Sequence, residues 1–576
     1  MTTLRTAKRF VFPLLGLWVL LYASFSLVKP PLLDGADGLT AEIAREMLVG
    51  DHWITPYANG LPWAQHPPLL YWTVACSFGL FGISDWAARL PVALAALALF
   101  IATFSLGRRL FRSPAAAFYS ALALITSCGV FLFAHLLLRD VFLCLWTTLA
   151  LNFFWRSLSQ EKHRLGSALG FGAACALGVL SEGLPGVLFP VLIALLFLLA
   201  TGQTRHLLRW QAFPSVLVFL AIVLPWHIAS RIASGHARLG VLMPQWQGER
   251  VPLFVFWPLL LLWIVPWCVF SLRALRIGDS PDPHRRRQAR LFCLLWIGVV
   301  LVFFSCTARQ QFNLLTALPP MALLAGGWLA EDESLPHHQG RISAAILFFA
   351  GLAAAAFVAW NLFTAPPLSS GVDIATVLRS NPAHHAVFFG YFSSLSHAAM
   401  GAFRVPLAIT LAALLVGVSG GLWFRLRDNA RVANCFLAGM IVAILIAAHL
   451  ALNTFSPVLS SEILAEAIRP EIQPTDTIVV NGPFESASSM AFYLDRPVLI
   501  LNEPGNAPGG YPPIPPQPPV FIDAARLSAL WSGAPRVWLW TTPESRPSLP
   551  GPSYVIGRSG GKEIVSNQPN SGGASF

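Results

Sequence analysis

Between residues 30 and 91 the sequence places Asp34, Asp37, Glu42, Glu46, Asp51 and Asp85, a dense set of carboxylates for a chain with 11% charged residues. Arg45, His66 and Arg89 are interleaved with them, and Arg139, Asp140, Arg250 and Arg309 stand at the edges of later apolar runs. Carboxylates and cations gathered at a membrane rim suit one kind of chemistry. A carboxylate takes the proton of an attacking hydroxyl, and cations stabilise an anion that departs at headgroup depth. Arginine suits a phosphate through its planar, bidentate donors. Blander readings account for the same spacing: a helix cap or a solvated loop at Asp34 and Asp37, a neutralised boundary pair at Arg139 and Asp140, and snorkelling for each arginine. His135 and His227, near span ends, read as hydrogen-bonded structural residues, and Glu182 reads as a boundary charge.

The elements that must position these residues are mostly apolar. Of 576 residues 55% are hydrophobic, and mean hydropathy is +0.63, whereas a soluble domain carries about 25% charged residues. After an uncleaved first span at about 10–28, runs at 88–107, 115–134, 141–156, 166–182, 184–201, 212–230, 252–272, 292–306, 311–330, 343–363, 405–424 and 433–452 are long or apolar enough to suggest about 13 transmembrane helices. With a cytoplasmic N-terminus, the clusters Arg108/Arg109/Arg112, Lys162/Arg164, Arg205/Arg209, Arg273 to Arg290 and Arg425/Arg427/Arg431 fall inside, as the positive-inside rule asks. The net charge of +11 therefore reads as orientation, and nucleic acid is not an expected partner. Segment 67–81 is short, begins with two prolines and would invert this pattern if it crossed. It is expected as a helix along the outer surface.

Three long loops, 30–87, 231–251 and 364–404, then lie outside together with the C-terminal segment. Within the first, 40–48 reads as a short amphipathic helix capped by Thr40, with Ile43 and Met47 on one face and Asp34 and Asp37 preceding it. From about Ser456 the runs TDTIVV, RPVLIL and PRVWLW alternate with Pro/Gly clusters, and the tail after Gly560 reads as loose. The expected architecture is an all-α polytopic membrane protein over 1–455 and a small α/β extracytoplasmic domain over 456–576. The eight cysteines show no paired spacing and read as core residues.

The run DGADGLTAEIAREMLVGDHWITPYANGLPWAQHPPLLYW, followed by FG and ARLP, resembles the first-loop signature of the aminoarabinose transferase and protein O-mannosyltransferase group, glycosyltransferases of the GT-C fold. Weaker similarity continues in LLRD, LPWHIA, the run from Thr307 to Leu329, and NGPFESASSMAFYLDRPVLILN. The resemblance implies a bacterial inner-membrane enzyme that moves a sugar, with inversion, from a polyprenyl-phosphate donor to a lipid, glycan or protein hydroxyl. It implies Asp37 as base, with Asp34 the nearby alternative, and Asp140 as a second acid. Cations for the donor phosphate are then sought among Arg45, His66, Arg89, Arg250 and Arg309.

The sequence departs from that pattern in places. Gln65 and His66 stand where relatives carry an acid and a lysine, and Gln245-Trp246-Gln247 stand where relatives tend to have Glu-His. Glu182 occupies a place where relatives often carry lysine. No metal site and no cofactor are expected. A transporter or flippase of a lipid-linked precursor is the rival reading, but it predicts repeated halves and midplane charge, which the sequence lacks. A non-catalytic scaffold that retains the fold is a third.

Overall fold

The computed structural model describes residues 2–27, 30–63, 65–159, 164–204, 212–234, 250–275, 283–307, 309–335, 340–368, 372–378, 395–501 and 520–570. Each apolar run forms helix, because a chain in hydrocarbon must satisfy its backbone polar groups internally. Among the described residues, ten helices are long and apolar enough to cross a bilayer. An eleventh counts if Pro114–Ile125 and Cys128–Ala134, bent by 55°, form one span. The other two expected spans are shorter: Pro185–Ala200 has 16 residues, and Leu253–Trp263 has 11 before a break precedes Cys268–Arg273. The chain is a multi-pass membrane protein. Helix Leu69–Phe81, with 13 residues, extends about 20 Å at 1.5 Å per residue, short of a hydrocarbon core of about 30 Å.

The bend at 126–127 aims the segment that follows, and side chains make it tolerable. The Tyr22 hydroxyl donates to the Ile125 carbonyl at 2.8 Å, Trp267 Nε1 donates to Thr126 Oγ1 at 2.9 Å, and Ser127 Oγ accepts from Val130 N–H as the next helix begins. Groups freed from the helix ladder thus keep partners away from water. Segment Gln311–Ser334 is the most enclosed, with 94% of its apolar window buried. It passes Pro114–Ile125 where a Cβ on Gly326 would lie 2.3 Å from the Ser120 amide nitrogen, the close backbone approach that small residues permit in membrane bundles.

In the first loop β1 (Tyr57–Ala58) pairs antiparallel with β2 (Leu61–Pro62), and the C-terminal runs form a six-stranded sheet of β3 (Thr477–Asn481), β4 (Leu499–Leu501), β5 (Phe521–Ile522), β6 (Val537–Thr541), β7 (Tyr554–Ser559) and β8 (Lys562–Ser566) in the order β5-β4-β3-β6-β8-β7. Strands β3 to β6 run parallel, and β8 is antiparallel to both β6 and β7. Val479, Leu501, Leu539 and Val565 form a core on one face, and Trp538 and Trp540 are buried on the other, in the cluster continuous with the bundle. Strand β8 corrects the expectation of a loose tail after Gly560: its side chains from Lys562 to Ser566 are all buried. The signal was weak because β8 pairs with β6 rather than displaying an alternating half-exposed pattern. The last membrane helix, Ala430–Leu459, also runs past the expected boundary at 455.

The first-loop helix corrects the sequence expectation as well. It spans Ala36–Val49, not 40–48, so Asp37 lies in its first turn and Thr40 is an interior, buried residue. Gly35, at φ +82°, supplies the turn into it, a conformation costly for other residues. Ile43 and Met47 are both fully buried on one face. This helix packs against Leu69–Phe81 on one side and against Ser488–Leu494, the helix after β3, on the other.

Candidate active site

Asp37 is fully buried, and each of its oxygens has a partner. Oδ1 accepts from the Leu137 N–H at 2.8 Å, and Oδ2 faces Arg89 Nη2 at 3.3 Å. Arg89 sits on the first turns of Asp85–Phe111, buried, and also donates to the Pro30 and Pro31 carbonyls at 2.6 and 2.8 Å. One guanidinium therefore ties the exit of the first span to the acid of the loop helix. Burial raises the Asp37 pKa above the ordinary range, against the lowering effect of Arg89 and of the Leu137 and Leu33 amides. A carboxyl so placed is a better proton acceptor once ionised.

Leu137 belongs to the short connection after the bent span, which continues directly into Arg139 and Asp140 at the start of Arg139–Ser159. The bond to Leu137 thus brings the two acids of the sequence reading to the same turn of chain. Asp140 is buried, with Glu182 and Arg139 as its charged neighbours. Arg139 Nε donates to Glu182 Oε2 at 3.0 Å, and Tyr71, from the helix Leu69–Phe81, lies beside the same guanidinium. Glu182 is therefore more than a boundary charge: it is the direct partner of the cation nearest Asp140.

The expected phosphate cations divide. His66 is enclosed, and burial together with Arg139 holds its pKa well below the usual histidine value. Both effects oppose its protonated form, and the fixed positive charge beside it is Arg139. Arg45 is drawn the other way: it forks onto Glu42 at 2.7 and 2.8 Å and pairs with Asp495 after the helix Ser488–Leu494. Arg250 is exposed, and its neighbour Val251 exchanges bonds with Arg309, the Arg309 Nε donating to the Val251 carbonyl at 3.0 Å. These two form a separate basic spot beside the turn Gln311–Ala317, which packs on Arg139–Ser159 through the Cys144 thiol and the Leu315 carbonyl. Positions 245–247 lie outside the described residues.

Asp34 has a different environment from Asp37. Its Oδ1 accepts from the Ser489 amide and hydroxyl at 3.0 and 2.6 Å, and its Oδ2 from Ser461 Oγ and Lys562 Nζ at 2.7 and 2.8 Å. All four donors come from residues beyond 460. Sequence reasoning missed Tyr71, Ser461, Ser489 and Lys562, and it favoured a boundary charge over a site residue for Glu182. Tyr71 lies inside the quoted motif and was within reach; Lys562 is 528 positions from Asp34 and gave no signal. Among the described residues no three His, Cys, Asp or Glu side chains are grouped to hold a metal.

Residues 65–228 match the family described as dolichyl-phosphate-mannose-protein mannosyltransferase. An undecaprenyl phosphate-alpha-4-amino-4-deoxy-L-arabinose arabinosyl transferase of Pseudomonas aeruginosa is 30% identical over 309 residues, 50% of this chain and 54% of that protein. A relative of the same description in Proteus mirabilis is 25% identical over 338 residues, 56% of this chain and 60% of that protein. The chain spans little more than half the length of these curated relatives. The crystal structure of ArnT from Cupriavidus metallidurans bound to undecaprenyl phosphate superposes with a TM-score of 0.78 at 20% identity, covering 99% of both chains. Its apo state gives 0.75 at 22%, again over 99% of each. The fold is therefore that of ArnT, helical bundle and C-terminal sheet alike.

Proposed function

We propose that this chain, which has the fold of ArnT, is a membrane glycosyltransferase that moves a sugar from a polyprenyl-phosphate donor to an acceptor hydroxyl. The observation that carries the reading is the linkage of Asp37, which pairs with Arg89, to the Leu137 amide at the turn that leads into Arg139 and Asp140, with Glu182 bound to Arg139. Buried charge in a membrane protein is costly and marks function by default. The activity of the Pseudomonas aeruginosa relative supports the donor class.

In this reading Asp37 takes the proton of the acceptor hydroxyl as its oxygen bonds to the anomeric carbon. The bond from that carbon to the phosphate oxygen breaks, the configuration inverts, and polyprenyl phosphate leaves with the electron pair. Arg139 offsets the charge that develops on it, and Asp140 orients the acceptor. Arg250 and Arg309 supply a second cationic spot for the donor. The site faces the extracytoplasmic side of a bacterial plasma membrane, with the N-terminus cytoplasmic. The acceptor is a lipid, glycan or protein hydroxyl, and no metal or cofactor takes part.

The test supplies radiolabelled polyprenyl-phosphate sugars to membranes containing the wild type, Asp37→Asn or Asp140→Asn. Loss of the base lowers turnover by about 10²- to 10⁴-fold. Absence of labelled product with every donor, or full activity in both variants, defeats the reading; movement of label across the membrane without transfer establishes the transporter instead.

A further inference from the structure

Besides the Gly38 and Leu39 amides, which donate to the Leu33 and Gly35 carbonyls, residues 32–35, which lead into the helix that carries Asp37, are held by residues from 459 onward. The Leu32 N–H donates to Tyr493 Oη at 2.8 Å, and the Leu32 carbonyl accepts from Ser460 Oγ at 2.8 Å. The Asp34 N–H donates to the Leu459 carbonyl at 2.8 Å, and the Gly35 N–H to the Glu485 carbonyl at 2.7 Å and to Ser488 Oγ at 3.1 Å. The Asp34 side chain closes the set with its four donors, of which Lys562 supplies the compensating charge. The knot continues inward: Ser461 N–H donates to Ser489 Oγ at 2.9 Å, and Trp540 Nε1 in the sheet core donates to Ser461 Oγ at 3.2 Å.

The contact surface leaves no slack. A Cβ on Gly38 would lie 2.6 Å from the Ser489 amide nitrogen, so the first turn of the helix rests on the backbone of Ser488–Leu494. Asp37 is one residue from that contact. Its other fixings, Leu137 and Arg89, belong to the membrane bundle. The acid is therefore clamped between two bodies that are remote in sequence.

We infer that Asp34 and Lys562 are positioning residues: through this clamp the C-terminal sheet sets the placement of Asp37, and the site is incomplete without it. Neither residue touches the reacting atoms. Asp34, one of two candidate bases by sequence, instead holds the other in place. A buried carboxylate–ammonium pair suits the purpose because losing either partner leaves an unpaired charge, and because a small misplacement of a reacting group is expensive in rate. The inference rests on the transferase reading for its kinetic consequence but not for its structural one.

The experiment uses the full-length protein in detergent with Lys562→Met, Asp34→Asn, Lys562→Arg and the milder Ser489→Ala. Hydrogen exchange of peptides within 31–49 and turnover with a labelled polyprenyl-phosphate sugar are read side by side. The expected result is exchange at residues 33–40 faster by about 10-fold in Lys562→Met and Asp34→Asn, with the membrane helices unchanged. Turnover falls by about 10- to 100-fold while the donor KM stays within about 3-fold, and Lys562→Arg recovers most of both. Ser489→Ala shifts both readouts less in the same direction, and decides the matter if the charge variants fail to assemble. Unchanged exchange at 33–40, or faster exchange with turnover intact, overturns the inference. Faster exchange in a protein whose wild type transfers no sugar leaves the clamp standing and defeats the transferase reading instead.

Discussion

Replacing Arg89 with glutamine removes the one guanidinium that serves both the exit of the first span and Asp37. The residue is 3% exposed and donates to two backbone carbonyls as well as facing the carboxylate at 3.3 Å. Breaking a buried pair from one side costs about 3–5 kcal/mol when the remaining charge stays ionised. Asp37 has an escape, because burial already raises its pKa and Arg89 is the largest influence lowering it. Without Arg89 the carboxyl takes up a proton at a pH where the wild type is ionised. The acid limb of turnover should then move upward by about one to three pH units, the displacement that one adjacent opposite charge produces. Turnover near neutrality falls, and alkaline buffer restores much of it. Arg89→Lys separates charge from geometry: an ammonium keeps the limb close to its place yet cannot reach both prolyl carbonyls and the carboxylate, so thermal stability falls while the profile holds. The assay is turnover against pH for the three proteins, with melting in detergent alongside. An acid limb that does not move in Arg89→Gln refutes Asp37 as the titrating base.

Arg139→Gln should lower turnover at least about 100-fold, whereas Glu182→Gln, which releases the same guanidinium from its partner at 3.0 Å, should lower the donor KM by a few-fold; the two KM values, measured at fixed acceptor, check the assignment of the leaving-group cation. Glu46 is raised to about 7 from 4.5, by burial first and then by Glu42. The folded state therefore binds the extra proton between those values, and stability falls as pH rises through that window. Glu46→Gln should flatten the dependence of melting temperature on pH there and raise stability above pH 7. Gly326→Ala places a methyl against the Ser120 backbone and should cost about 1–3 kcal/mol by overpacking, read as a lower melting temperature without a change in the pH profile.

The clamp on Asp34 changes how the C-terminal sheet is understood. A domain attached only by a linker would be free to move relative to the bundle. Here Tyr493 reaches Asp85 and Leu32, Asn59 exchanges two bonds with Val498, and Arg45 meets Asp495. Each contact lands on the segment 30–91 that the sequence marks as chemically dense. The C-terminal domain is thus fastened along the first loop at several separate points.

Much of this was legible in the sequence for simple reasons. Apolar length determines which runs form membrane helices, so every expected span is helical, including the interrupted run at 252–272. Local pattern also revealed β3, β4 and β6, the acid-rich first loop and the apolar face of Ile43 and Met47. Periodicity could not reveal which charges meet. Asp34 and Asp37 are neighbours of the same type, yet one is joined to Lys562 and the other to Arg89. His66 counts as a possible cation by residue type, yet burial and the nearby Arg139 oppose its protonated form. Residue type and spacing determine which groups are available to a site, because propensity and hydropathy are local. Which of them is base, partner or clamp is decided only by burial and by pairing across hundreds of residues, since desolvation and Coulomb forces depend on distance in space and not along the chain.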